Sequence, residues 1–132
     1  MASSPGAWEE LDIHQILVIQ SEDKPAFFDE LISLQGWLLV QPAHITAHAI
    51  TKSAKALIGT RRLVPGIIID IPREPTKQNA NRIATAIECL KDGEVFDTRT
   101  YKGHVFEPCP IIVCTRWPLD REIFPAHKWI LR

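Results

Sequence analysis

Three short runs of consecutive apolar residues constrain the fold of this 132-residue chain more than any other feature. They are rich in β-branched side chains and occupy residues 15–20, 67–71 and 110–115. A strand with one face in water alternates apolar and polar residues, whereas a strand covered on both faces does not. These runs do not alternate, so they predict a parallel sheet with helices packed on both of its sides.

Helical patterns separate the runs. Apolar residues recur at helical spacing in three segments. The first follows Pro25, the second spans residues 43–58, and the third spans residues 78–91. Pro25 is typical of the first turn of a helix, and Gly36 and Gly59 are typical of helix ends. The pattern in residues 43–58 fits either one continuous helix or a helix broken near its middle. Two shorter strands and a β-hairpin are expected at residues 37–40, 129–131 and 95–106. The pattern predicts one layered α/β domain over residues 15–132, preceded by a tail and a short helix in residues 1–14.

Composition excludes several classes of protein. The net charge of −1 is not that of a globally basic nucleic-acid binder, and 45% apolar residues argue against general disorder. The three cysteines form no Cys-x-x-Cys pair, which argues against a disulfide framework and a zinc site. No secretory signal and no apolar run of about 20 residues is found. We therefore expect a soluble intracellular protein of the cytoplasm or nucleus, neither secreted nor bound to a membrane.

Several short strings follow one another in an order that one family shares. They read Gly-Ile-Ile-Ile-Asp-Ile-Pro-Arg, Ile-Glu-Cys-Leu-Lys-Asp-Gly-Glu-Val-Phe and Pro-Ile-Ile-Val-Cys-Thr-Arg-Trp, and begin at Gly66, Ile87 and Pro110. Over residues 66–132, about half of the chain, this series resembles the superfamily 3 helicase domain of replication-associated (Rep) proteins of circular single-stranded DNA viruses. The resemblance implies a P-loop-NTPase-like, mostly parallel α/β sheet flanked by helices, with a β-hairpin after the Walker B strand.

The resemblance also implies roles for particular residues. In that family a Walker B carboxylate holds Mg²⁺, and Asp70 corresponds to it and is the candidate metal ligand. The P-loop lysine corresponds to Lys24, which is the candidate cofactor-binding residue. The hairpin of the family grips single-stranded DNA, which makes Arg99, Lys102 and His104 the candidate nucleic-acid-binding residues. The family's sensor asparagine, which orients the attacking water, would fall at Arg116, and here the chain departs from the family.

A larger departure lies in the segment that would hold ATP. A P-loop wraps phosphate in backbone N–H groups that glycines expose, and a Ser/Thr hydroxyl binds Mg²⁺. Residues 21–25 read Ser-Glu-Asp-Lys-Pro, so the glycines are missing and Pro25 replaces the hydroxyl residue. The same segment carries the carboxylates of Glu22 and Asp23 where phosphate would bind. At a separation of about 4 Å and an effective dielectric of 20, each carboxylate would repel a phosphate charge by about 4 kcal/mol. We therefore expect neither ATP nor Mg²⁺ as a cofactor unless this altered loop still binds nucleotide.

Each candidate also has an ordinary structural explanation. A carboxylate such as Asp70 commonly caps a neighbouring helix, and a lysine such as Lys24 is common at an exposed helix start. Polar residues on a hairpin commonly form its solvent-exposed face. His44 and His48 stand four apart on a predicted helix, but the glutamate that zinc enzymes place between two such histidines is missing. Cys114 lies near the end of a buried apolar run, so we expect its side chain to pack in the core. The family's His-x-His and Tyr-x-x-Lys nuclease motifs are both absent from the sequence.

These observations predict a degenerate superfamily 3 helicase-like domain that retains the α/β core and has lost ATP hydrolysis. We expect it to bind single-stranded nucleic acid, or to assemble as a homo-oligomer or as an inactive subunit in a mixed ring with an active Rep protein. Two alternatives stay open: a divergent but active ATP-dependent helicase, and a non-enzymatic protein-interaction domain derived from a viral Rep protein.

Overall fold

The computed structural model of the protein describes residues 16–20, 25–42, 44–72, 76–96, 103–116 and 129–131. In chain order the elements are β1 (Ile16–Gln20), α1 (Phe27–Gln35), β2 (Leu38–Val40), α2 (Ala47–Ile58), β3 (Ile67–Ile71), α3 (Lys77–Lys91), β4 (Glu94–Phe96), β5 (Gly103–Val105), β6 (Ile111–Thr115) and β7 (Trp129–Leu131). The predicted tail and short helix in residues 1–14 lie outside the described residues.

Five strands form the main sheet in the order β2-β3-β6-β1-β7, and every pairing in it is parallel. The chain crosses the sheet in one direction from β1 to β2, and in the opposite direction from β2 through β3 to β6. Right-handed crossovers in opposite directions place their helices on opposite faces of the sheet. Accordingly, α1 packs on one face, and α2 and α3 pack on the other. The predicted layered α/β architecture with a parallel sheet is confirmed.

Strand β3 shows why the apolar runs do not alternate. Successive side chains of a strand point to opposite faces of the sheet. Ile67 and Ile69 therefore pack in the cluster with α2 and α3, whereas Ile68 packs in the cluster with α1, and all three are fully buried. Because helices cover both faces, apolar side chains are favoured on both sides of the strand, and Asp70 near its end is the exception.

The structure corrects two predicted helix starts. Helix α2 begins at Ala47 rather than at residue 43, because the Thr46 side chain accepts a hydrogen bond from the Ala49 N–H at 3.1 Å and caps the helix. From that start α2 is continuous. Pro25 lies one residue before the cap of α1 instead of in its first turn, and its carbonyl accepts a hydrogen bond from the Phe28 N–H.

Strands β4 and β5 pair antiparallel between α3 and β6, as predicted for a hairpin in this region. The strands are joined to the end of α3 at Gly93, whose carbonyl accepts a hydrogen bond from the Phe106 N–H at 2.8 Å. Gly93 adopts a φ of 82°, a conformation that side-chain-bearing residues rarely adopt. This glycine therefore sets the direction in which the hairpin leaves the helix.

Candidate functional site

The carboxyl ends of β1, β6 and β3 meet at one edge of the sheet, which we call the carboxyl edge. Strand β6 lies between the other two, and its last residue Thr115 is in register with Gln20 on one side and with Ile71 on the other. Neighbouring strands are about 4.8 Å apart, so β1 and β3 end about 10 Å from each other. The carboxyl ends of β1, β6 and β3 therefore lie side by side.

The helices that follow β1 and β3 lie on opposite faces of the sheet. The chain after β1 leads to α1 on one face of the sheet, and the chain after β3 leads to α3 on the other face. Ligands of open parallel sheets bind outside the carboxyl ends of the strands, where neighbouring connections part to opposite faces. The carboxyl edge is thus the candidate functional site of this fold.

Asp70 is the acidic side chain of β3 at this edge. It is half-buried and in register with Cys114 of β6, between Ile69 and Ile71, which both point to the α2 and α3 side. Asp70 therefore lies on the α1 side of the sheet, the same side as Cys114. No group of three or more His, Cys, Asp and Glu side chains that could hold a metal occurs within the described ranges. Asp70 would suit Mg²⁺ only as one carboxylate ligand among phosphate and water oxygens, which is how this ion is commonly bound.

Arg116 follows β6 directly and is exposed at the same edge. The expected helicase resemblance would place an asparagine here, whose amide both donates and accepts hydrogen bonds. A guanidinium has only donors, so Arg116 can bind an anion but cannot accept a hydrogen bond from a water molecule. Its neighbour Thr115 is a buried polar residue, with 7% of its surface exposed.

The remaining candidate site residues fall largely outside the part of the chain that the structure describes. Lys24, Arg99 and Lys102 lie outside it, and His104 is described only as a backbone position in β5, paired with Val95. Their proposed contacts to nucleotide and nucleic acid therefore stay predictions.

The histidine pair of the sequence does not form a helical pair. His44 lies three residues before the first residue of α2, whereas His48 lies within α2, and both are exposed. The expectation that both stand on one helix is wrong, because Thr46 ends the extended segment and starts the helix.

The buried cysteines have structural positions. Cys114 is 3% exposed and packs against the α1 side of the sheet, which confirms core packing. Cys109 is 2% exposed, and burial raises the pKa of its thiol to about 12. A thiol with such a pKa holds almost no thiolate at neutral pH, so burial works against a nucleophilic role for Cys109.

A groove between α2 and α3 was not anticipated from the sequence. It has a volume of about 420 Å³ and is lined by Ala47, His48, Thr51, Asn81, Arg82, Thr85, Ala86, Cys89, Leu90 and Glu94. Small residues recur at helical spacing on the walls of the groove. This spacing is the sequence signal that could have indicated a groove between the two helices. The pKa of the Cys89 thiol is raised above its usual value. Burial is the largest cause, and the negative charges of Glu94, Asp92 and Glu88 add to it in that order.

No known protein family matches this sequence, and no curated protein matches it either. Among the described helices, none has the length and apolar character that crossing a bilayer requires. The fold and site together define a layered α/β protein with a parallel sheet and a polar carboxyl edge.

Proposed function

We propose that this chain is a Rep-type superfamily 3 helicase-like domain that has lost ATP hydrolysis and acts in viral-type DNA replication through nucleic-acid binding or assembly. The observation that carries the proposal is the position of β6 between β1 and β3, with all three strands parallel. An ATPase of the resembled family needs its phosphate loop, Walker B carboxylate and sensor residue beside one another. This strand order supports that arrangement for residues 21–25, Asp70 and Arg116.

Loss of hydrolysis follows from the chemistry of the residues at these positions. Pro25 has no backbone N–H to offer a phosphate, and its side chain carries no hydroxyl for Mg²⁺. Arg116 cannot accept a hydrogen bond from an attacking water. Asp70 and Lys24 keep residue types that the family requires, but a carboxylate and a lysine without the glycine-rich loop do not align a triphosphate with water.

Nucleic-acid binding is assigned to the segment that joins β4 and β5, because it carries Arg99 and Lys102. In the family that this chain resembles, a hairpin after the Walker B strand contacts single-stranded DNA. The hairpin of this chain likewise follows α3 and precedes β6, which supports the assignment. Phosphate contacts of this kind release counterions, so binding should weaken as salt increases.

The first experiment measures ATP hydrolysis by the purified chain, with and without single-stranded DNA. We expect no turnover above a protein-free control, and the same result for Asp70→Ala. Turnover in the wild type that Asp70→Ala abolishes would reject the proposal in favour of the divergent, active helicase.

The second experiment measures binding of a fluorescent single-stranded oligonucleotide over a range of salt concentrations. Lys102→Ala and Arg99→Ala should each weaken binding and reduce the slope of log K against log salt by about 0.7 for each lost contact to a single strand. Lys52→Ala is the matched control, because Lys52 is an exposed cation on α2. An absence of any oligonucleotide binding would instead support the protein-interaction alternative.

A further inference from the structure

The groove between α2 and α3 has the size and the lining of a small-molecule site. Its volume of about 420 Å³ lies within the range of about 300–1,000 Å³ that is common for ligand pockets. Most of its wall is apolar, with Ala86, Cys89 and Leu90 along α3 and Ala47 at the start of α2. The groove therefore fits the apolar body of a ligand, and its few polar groups would orient that ligand.

Glu94 contributes a carboxylate to this apolar wall. It is the first residue of β4, lies just beyond the end of α3 and is half-buried. Within the part of the chain that the structure describes, its side chain forms neither a hydrogen bond nor an ion pair. Withdrawing a carboxylate from water without a partner is unfavourable, and a cation that donates hydrogen bonds would offset that cost. Glu94 is therefore available to a cationic group of a ligand.

The charges around this end of the groove are predominantly negative. The carboxylates of Glu94, Asp92 and Glu88 all act on the Cys89 thiol in the groove wall, and each raises its pKa. Lys91 offsets one of them, because its ammonium lies 3.8 Å from the Asp92 carboxylate. The remaining negative charge attracts a cation to the groove beside Cys89 and repels an anion.

The basic residues that line the groove do not cancel this preference. Arg82 precedes Leu90 by eight residues on α3, which corresponds to about 12 Å along the helix axis. Arg82 and His48 are both exposed. An ion pair made by an exposed side chain is weakened by water and salt. The half-buried carboxylate of Glu94 is therefore the charge that best orients a ligand in this groove.

We propose that the groove between α2 and α3 binds a small organic cation, whose ammonium group pairs with Glu94 and whose aromatic or aliphatic body packs against Ala86 and Leu90. Neither Asp70 nor Arg116 lines this groove. The inference therefore goes beyond the proposed function and does not depend on it.

The test compares three probes that share one phenylethyl body. They are 2-phenylethylamine, which is a cation at neutral pH, the neutral 2-phenylethanol and the anion 3-phenylpropionate. Binding is followed through the amide chemical shifts of the ¹⁵N-labelled chain. The amine should bind with a Kd on the order of 1 mM, as expected for about nine non-hydrogen atoms, and should shift the amides of Thr85, Ala86 and Cys89. The alcohol should bind about fivefold more weakly, and the anion more weakly still.

Glu94→Gln retains the shape of the side chain and removes its charge, so it should weaken binding of the amine about fivefold and leave the alcohol unaffected. Glu107→Gln is the matched control, because Glu107 is an exposed carboxylate that does not line the groove, and it should change neither. Thr85→Trp places a large ring in the groove and should abolish binding of all three probes.

The amide spectrum of Thr85→Trp shows whether that variant folds, and Glu94→Gln decides the question if it does not. Four results would each overturn the site. They are an absence of amide shifts with the amine, binding of the anion as tight as that of the amine, equal effects of Glu94→Gln and Glu107→Gln, and undiminished binding by a folded Thr85→Trp.

Discussion

Replacing Gly93 by alanine tests how the hairpin is fixed to the domain. Gly93 has a φ of 82°, and a Cβ built on it would overlap the carbonyl oxygen of Phe106 and lie 3.3 Å from the backbone nitrogen of Pro108. A positive φ costs a residue with a Cβ about 1–2 kcal/mol. The overlap must also displace Phe106, whose N–H donates to the Gly93 carbonyl, and losing that bond costs about 1 kcal/mol. We therefore expect the free energy of unfolding to fall by roughly 2–3 kcal/mol.

The assay is urea unfolding followed by tryptophan fluorescence, with Gly36→Ala as the matched control. Gly36 also has a positive φ, of 74°, but a Cβ there would meet only Pro65 at 3.9 Å, an ordinary contact. Its substitution should cost only the conformational part, about 1–2 kcal/mol. Hydrogen exchange at the Phe106 amide should accelerate in Gly93→Ala and not in Gly36→Ala. If the two variants lose equal stability and Phe106 stays equally protected, the reasoning about the hairpin is refuted.

Two further predictions concern a thiol and a helix cap. Because the pKa of Cys109 is raised to about 12 from an ordinary 9.0, folding favours its protonated form, and this contribution is present at neutral pH. As pH rises from 9 towards 12, the free energy of unfolding should fall by up to about 1.4 kcal/mol per pH unit, and Cys109→Ala measured in parallel should lack that share of the slope. Thr46→Ala should lower the free energy of unfolding by about 1 kcal/mol in thermal or urea unfolding, since it removes the cap of α2, whereas Thr46→Ser should restore it.

The helicase-like domain that we propose and the observed fold agree only in the fold class, a layered α/β domain with a parallel sheet. The sequence strings placed Asp70 and Arg116 at the ends of two strands, and the structure makes those strands neighbours. The identity of the loop residues 21–24 and of the hairpin residues Arg99 and Lys102 carries the functional part of the proposal. Measurements on those residues therefore decide function, whereas Gly93 and Thr46 test only the fold.

The sequence alone determined the strands and their burial. Residues 67–71 and 110–115 were predicted to be strands covered on both sides, because an apolar run without alternation has no face that suits water. Gly36 as the end of α1 was also predictable, since the φ of 74° found there is one that glycine adopts without steric cost.

Tertiary structure decided what depends on contacts between distant segments. The start of α2 at Ala47 could not be derived from apolar spacing, because residues 43–46 continue the periodic pattern and the Thr46 hydroxyl overrides it. Nothing local explains why Gly66 is a glycine, but the Trp37 ring lies where its Cβ would be. The groove exists only because α2 and α3 pack on the same face of the sheet. The local sequence pattern determines which residues are buried, and only the tertiary structure determines which buried residues contact one another.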